Sequence, residues 1–177
     1  MNLFISPHND DEVLFGAYTL LKEKPLVVIV TDSWIQFNRG DNITADERWQ
    51  ETVDAMQILN CPVLRLGIRD DTIDEEIIRK NLTRFIGFDK VYTPAIQGGN
   101  LHHDLIGRVS EEIFGDKCKY YTTYTKTELY TTGSEEVTPR SADDIAKKTL
   151  ALDCYKTQLR INRPHFDAVR NKTEWYI

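Results

Sequence analysis

No Cys-x-x-Cys pair occurs in the chain, and its 3 cysteines, Cys61, Cys118 and Cys154, are odd in number and far apart. That pattern excludes a zinc ribbon and a thioredoxin-like redox pair; three reduced, semi-buried thiols in a reducing compartment are expected. Positive charge is in the minority. The 22 Lys and Arg face 28 Asp and Glu, a formal net charge of −6. Such a balance offers no basic footprint for nucleic acid, though a local basic pocket stays compatible with it. Long apolar runs are missing too. The longest, Pro25 to Val30, is too short to span a bilayer, so no membrane segment is expected. The opening MNLFISPHNDDE has no basic start followed by an apolar stretch, unlike a signal peptide. A cytoplasmic protein is the expectation. The chain has no GxGxxG after its first strand, no GxxxxGK and no GxSxG. Dinucleotide binding, P-loop chemistry and a serine nucleophile elbow are therefore disfavoured.

What is present fits one compact domain over residues 1–177, with 41% hydrophobic and 28% charged residues. Leu3 to Ile5 reads as a short buried strand. Asp10, Asp11 and Glu12 then place acids at a helix start, and Leu14, Ala17, Leu20 and Leu21 recur at helical spacing. Leu26 to Val30 reads as a strand covered on both faces. Thr44 and Glu47 make a capping box, with Trp49, Val53, Met56 and Leu59 as the apolar stripe behind it. Val63 to Leu66 is a third strand. Thr72 with Glu75 opens a third helix carrying Ile73, Ile77, Leu82 and Ile86. Lys90 to Tyr92 is a fourth strand, followed by a turn at Gln97 to Asn100. A helix then runs from about Asp104 to Phe114, closed by Gly115. Tyr120 to Tyr130 reads as one or two strands, Gly133 to Arg140 as a linker, and Ala142 to Leu159 as one long helix. Asn162 to Ile177 is ambiguous. Four strand–helix alternations predict an α/β three-layer sandwich with a mostly parallel sheet.

In such sheets ligands bind beyond the carboxyl ends of the strands. The polar residues directly after the four strands are His8, Asp10 and Asp11; Thr31 and Asp32; Arg69, Asp70 and Asp71; and Asn100, His102, His103 and Asp104. Three of the 4 histidines fall in this set. Two histidines and one carboxylate with an open position make a catalytic metal site, and His8, Asp11 and His103 can supply it. Asp10 can then act as general base on a water acidified by the metal. Each cluster alone has a plainer explanation: an acidic helix start, or a solvated histidine pair in a loop. Their convergence at two strand ends of one sheet favours the metal site.

The segment Ser6-Pro7-His8-Asn9-Asp10-Asp11-Glu12 resembles the first motif of the PIG-L/LmbE-like N-deacetylases, Pro-His-x-Asp-Asp-Glu. Thr31-Asp32 falls where that family has Thr-Asp-Gly. Arg48, Glu51, Ala55 and Leu59-Asn60 resemble its Arg-x-x-Glu helix. Val91 to Pro94 with Gly98-Gly99 precede its second histidine motif, and Lys148, Tyr155 and Gln158 resemble its late helix. The resemblance reaches to about residue 160. It implies a Rossmann-like fold and a divalent ion, usually Zn2+, with His8 and Asp11 as ligands and Asp10 as the base. It also implies hydrolysis of an N-acetyl amide, often on a glucosamine unit. The second motif departs from the family's His-x-Asp-His. Ile106-Gly107 sets a register that puts His103 on the ligand position, Asn100 in place of the first histidine and His102 in place of the aspartate. Asn100 can donate a hydrogen bond to an oxyanion but carries no charge, and His102 can serve as a charged donor instead. A register slipped by one would make His102 the ligand.

Other residues have two readings each. Asp32 contacts substrate or caps the second strand. Arg48 binds a polar substrate group or forms a helix-surface salt bridge. Asp70 lines the site or closes an acidic turn. His165 is structural or closes the pocket, and Trp34 and Phe37 can form a pocket wall. The expected partner is a small N-acylated molecule such as an acetylated amino sugar. Two rivals stand beside this reading. A non-haem iron oxygenase would use His8, Asp10 and His103, but such enzymes favour antiparallel jelly rolls. A binding or regulatory module that has lost catalysis would explain the altered second motif.

Overall fold

Leu3, Phe4 and Ile5 have no exposed surface, and the strand that contains them is the axis of the fold. The computed structural model describes residues 1–32 and 42–177. Its strands are β1 (Asn2–Ser6), β2 (Leu26–Asp32), β3 (Val63–Arg69), β4 (Lys90–Pro94), β5 (Cys118–Tyr121), β6 (Glu135–Val137) and β7 (Glu174–Tyr176). They form one sheet in the order β3-β2-β1-β4-β5-β7-β6. The first five in that order pair in parallel, and β7 pairs antiparallel with β5 and β6. The α-helices among the described residues are α1 (Asp11–Glu23), α2 (Ala45–Leu59), α3 (Glu75–Leu82), α4 (Leu101–Phe114), α5 (Ala142–Leu152), α6 (Lys156–Ile161) and α7 (Arg163–Val169). None of them is long and apolar enough to cross a membrane.

Alternation along the strands builds two cores. Phe4, Val27 and Ile29 face α1, α2, α5 and α7, whereas Leu3, Ile5, Val28 and Val30 face α3 and α4. Each fully buried aliphatic or Phe side chain contributes about 1.5–3 kcal/mol of burial free energy. Two glycines set how closely helices approach the strands that precede the site. A Cβ on Gly16 would stand 2.3 Å from the Phe4 ring, and one on Gly107 2.5 Å from the Pro94 carbonyl oxygen. These contacts seat α1 on β1 and α4 against the end of β4. The chain crosses from β1 to β2 on one side and reaches β4 on the other, leaving a crevice between the carboxyl ends of β1 and β4.

Several local expectations are corrected. The cap of α3 is Asp74, whose carboxylate accepts from the Ile77 amide at 2.8 Å, not Thr72, whose own amide closes the turn onto Arg69. Ile86 lies beyond that helix and is exposed. The capping box at Thr44 and Glu47 is present, but the buried face of α2 is Arg48, Thr52, Ala55, Met56 and Leu59, rotated from the apolar stripe toward two polar residues. β3 extends three residues past Leu66, to Arg69. α4 begins at Leu101, because Asn100 caps it, so His102 and His103 sit in its first turn rather than in a loop. Within Tyr120 to Tyr130 only Tyr120 and Tyr121 are in a strand. The proposed linker contains β6. The long final helix breaks at Asp153 to Tyr155, where Tyr155 turns its side chain fully inward.

Candidate metal centre

The loop after β1 is fixed before any function is considered. The Pro7 carbonyl accepts from the Thr31 amide at 3.0 Å and its hydroxyl at 2.7 Å. The Asn9 amide donates to Thr52 Oγ1 at 2.9 Å. Asp10 precedes α1 at φ 126°, a region L-residues rarely occupy, and its carboxylate makes no capping bond to the helix. An aspartate here ordinarily spends its carboxylate on the helix amides. The Val13 and Leu14 amides go instead to the Asp10 carbonyl at 3.0 and 2.9 Å, and Glu12 accepts from the Asp10 amide at 3.1 Å. Glu12 also accepts from the Ser6 hydroxyl at 2.8 Å and from the Tyr155 hydroxyl. The Asp10 carboxylate is left to meet Arg48 Nη2 at 3.1 Å, and Arg48 donates as well to the Asn9 carbonyl.

On the other side of the crevice, Asn100 Oδ1 accepts from the His102 amide at 2.8 Å. Asp104 accepts from the Gln97 and Gly98 amides at 2.9 and 3.1 Å, folding the preceding turn against the helix. Buried His103 is delivered opposite His8. Asp11 Oδ2 lies 2.9 Å from His8 Nδ1 and 3.0 Å from His103 Nε2, and the two ring nitrogens are 3.3 Å apart. Neighbouring ligands on a tetrahedral ion with bonds of 2.0–2.1 Å stand about 3.3 Å apart. The donor set and its spacing therefore fit a divalent ion. His102 stands outside this trio, with its Nδ1 2.9 Å from His8 Nε2.

Electrostatics separate the roles. Burial opposes ionisation of Asp11, yet His103 and His8 more than offset it and hold the carboxyl well below the usual carboxylate range. Burial pushes Asp10 well above that range, against the pull of Arg48 and with the push of Asp11, Glu12 and Glu51. Burial lowers His8, whose ring stays neutral and free to ligate. His102 is pushed down to about 4 by burial and by His8 and His103. It is neutral near pH 7, which departs from the charged donor expected.

A cleft of about 240 Å³ opens over the trio. The structure brings His8, Asp10, Asp11, Arg48, Asp70, Asn100 and His102 to its walls. Asp32 is placed elsewhere: Arg65 grips its carboxylate at 2.8 and 2.9 Å. Leu14, Tyr124, Gln158, Asn162 and His165 complete the cleft. Tyr124 accepts from Asn100 Nδ2 at 2.9 Å, and its ring lies tilted by 51° against His165 with centroids 4.5 Å apart. Tyr124 lies in the Tyr120 to Tyr130 segment, which the sequence offers either as strand or as a surface on which a sugar can stack; nothing in the sequence singled out Asn162. Of the other residues of the late helix, Lys148 is buried against Glu174 and Tyr155 reaches Glu12. Trp34 and Phe37 lie outside the described residues.

No protein-family model and no curated protein matches the chain. Solved structures do. An N,N'-diacetylchitobiose deacetylase from Pyrococcus horikoshii superposes with a TM-score of 0.73 at 18% identity, covering 99% of this chain and 82% of that one. A zinc-inhibited form of a teicoplanin deacetylase matches with a TM-score of 0.74 at 14% identity, covering 99% and 97%. The chain has the fold of these deacetylases. A 4-carboxy-2-hydroxymuconate hydratase from Pseudomonas putida shares it as well, with a TM-score of 0.66 at 16% identity over 99% and 94% of the two chains. This deacetylase-like fold thus carries more than one chemistry, and function has to be argued from the site.

Proposed function

We propose that the chain is a metal-dependent hydrolase that removes an acyl group, in the first instance acetyl, from the amine of a small substrate such as an amino sugar. One observation carries the reading: His8, Asp11 and His103 converge with metal-ligand spacing while Asp10, the adjacent residue, keeps its carboxylate clear of helix capping. The deacetylase-like fold and the resemblance of the Pro7 to Glu12 segment support it. The presence of a hydratase on the same fold makes substrate turnover the test.

His8 Nδ1, His103 Nε2 and Asp11 Oδ2 would hold the ion. A divalent cation there supplies a Lewis acid for the amide oxygen and acidifies water toward neutrality. Zinc suits two imidazoles and a carboxylate, and other divalent ions share that donor set. Asp10 takes the proton of the attacking water and returns it to the leaving amine. Its raised pKa suits a group that must both accept and release a proton. Arg48 fixes the carboxylate from the side. Asn100 Nδ2 has a second hydrogen beyond the one given to Tyr124, and the Tyr124 hydroxyl, having accepted it, can donate its own. These two face the cleft as donors for the developing oxyanion. The protein is further proposed to act as a single domain in the cytoplasm.

The test is metal content of protein purified without chelator, followed by assays with N-acetylated amino sugars and other N-acyl amines, for the parent, His103→Ala and Asp10→Ala. The reading expects about one divalent ion per chain, lost in His103→Ala and kept in Asp10→Ala, with turnover lost in both. Equal turnover in Asp10→Ala and the parent overturns the base. A parent that takes up no metal favours the binding module.

A further inference from the structure

We propose that His102 is a positioning residue that fixes the tautomer and the ring orientation of His8, so that His8 presents Nδ1, not Nε2, to the ion. This rests on the metal-site reading given above. Histidine ligands usually give their second nitrogen to a carboxylate or a backbone carbonyl, which locks the ring. His8 has no carboxylate at Nε2; it has His102 Nδ1 at 2.9 Å. The rings are tilted by 50° with centroids 5.2 Å apart, so the contact is edge-on rather than stacked.

Proton placement follows from the neighbours. Nδ1 of His8 faces Asp11 Oδ2 and His103 Nε2, and must offer a lone pair to serve as a ligand. The single proton of the neutral ring then sits on Nε2 and is donated to His102 Nδ1. His102 must accept there, which puts its own proton on Nε2. A hydrogen bond joins the His102 ring to the Asp70 backbone, and with Nδ1 engaged by His8 it falls to Nε2 to make it. The relay runs from the Asp70 carbonyl through His102 to His8, and each nitrogen in it has one role. It also ties the turn after β3 to a ligand after β1. The capping bond from Asn100 Oδ1 to the His102 amide holds the relay's middle member in place.

The experiment is a Co2+ titration of chelator-stripped protein, read by visible absorption, for the parent, His8→Ala, His102→Ala, His102→Phe and His102→Asn. Circular dichroism and urea midpoints establish that each variant is folded. His102→Ala and His102→Phe are expected to bind cobalt about 10–100-fold more weakly, with the d–d bands still those of the parent. His102→Asn, whose amide oxygen can accept where Nδ1 does, is expected to recover parent affinity. Parent-like affinity in both His102→Ala and His102→Phe overturns the proposal. So does a His102→Asn as weak as His102→Ala. A loss in His102→Ala equal to that in His8→Ala, with altered bands, makes His102 a ligand and also overturns it. A parent that takes up no cobalt overturns the metal site itself, and the positioning role with it.

Discussion

Arg48 Nη2 lies 3.1 Å from Asp10 Oδ2, and the two side chains expose only 4% and 11% of their surface. The pair joins α2 to the residue before α1, and Arg48 donates at the same time to the Asn9 carbonyl. Removing the guanidinium leaves a buried carboxylate and a carbonyl without that donor. Arg48→Met is expected to lose roughly 3–5 kcal/mol of stability in urea unfolding and most of the turnover. Arg48→Lys should recover part at most, because one ammonium cannot reproduce the planar fork that reaches both acceptors. Full stability and turnover in Arg48→Lys would show that charge alone is required.

Glu12 is the hub beneath Asp10. It takes hydrogen bonds from Ser6, the Asp10 amide and Tyr155, and burial raises its pKa. Tyr155→Phe removes one donor from a fully buried acid, which costs about 1–3 kcal/mol. The Asp10 backbone, held at φ 126°, depends on the same carboxylate. Tyr155→Phe is therefore expected to lower the urea midpoint and turnover together while metal content stays at the parent level. Loss of metal in this variant would place Glu12 in support of Asp11 instead.

Much of this was legible in the sequence, for stated reasons. The parallel half of the sheet announces itself because Leu3 to Ile5 and Val27 to Val30 are buried on both faces and carry no polar alternation. The trio was legible because its members follow two strands of one sheet. The start of α4 was missed because Asn100 caps it through an amide, with no Glu or Gln three residues on to complete a capping box. The break at Tyr155 was missed because its cause, buried Glu12, lies 143 residues away. β6 and β7 have three residues each and no alternating pattern, so only their pairing reveals them. The two readings of Asp32 could not be separated in the sequence because its partner Arg65 sits on the neighbouring strand β3, a contact that sequence spacing does not show.

The thiols give a test independent of the site. Burial pushes Cys61 and Cys118 up to about 11, and raises Cys154 too. Only the thiolate reacts, so at pH 8 about one part in a thousand of Cys61 or Cys118 is reactive. Thiol reagents are expected to label the folded protein slowly at these two positions, faster as pH rises toward 11. All three cysteines should react promptly in urea. Rapid labelling of Cys61 or Cys118 at pH 8 without denaturant would show that α2 or β5 opens readily.

Lys148 and Glu174 form a pair with side chains 1% exposed each, and it joins α5 to β7. Glu174 accepts from the Tyr18 and Thr19 amides at 2.7 and 3.1 Å, and Lys148 Nζ lies 4.4 Å above the Tyr18 ring. Burial raises the Glu174 pKa and lowers that of Lys148 despite their mutual attraction. Desolvation thus outweighs pairing, and the pair is worth less than the damage done by breaking it. Either Lys148→Met or Glu174→Ala is expected to cost roughly 3–5 kcal/mol. Glu174→Ala should be the worse of the two, since it strands an ammonium and two helix amides where Lys148→Met strands one carboxylate. In the double variant Lys148→Met with Glu174→Gln, the amide oxygen can still accept from α1 and no charge is buried. Its urea midpoint should lie above that of Lys148→Met alone, a coupling that distant sites would not show. Additive losses across Lys148→Met, Glu174→Gln and the double variant would mean that the two residues act separately, and that β7 is held to α1 by the Glu174 amide bonds alone.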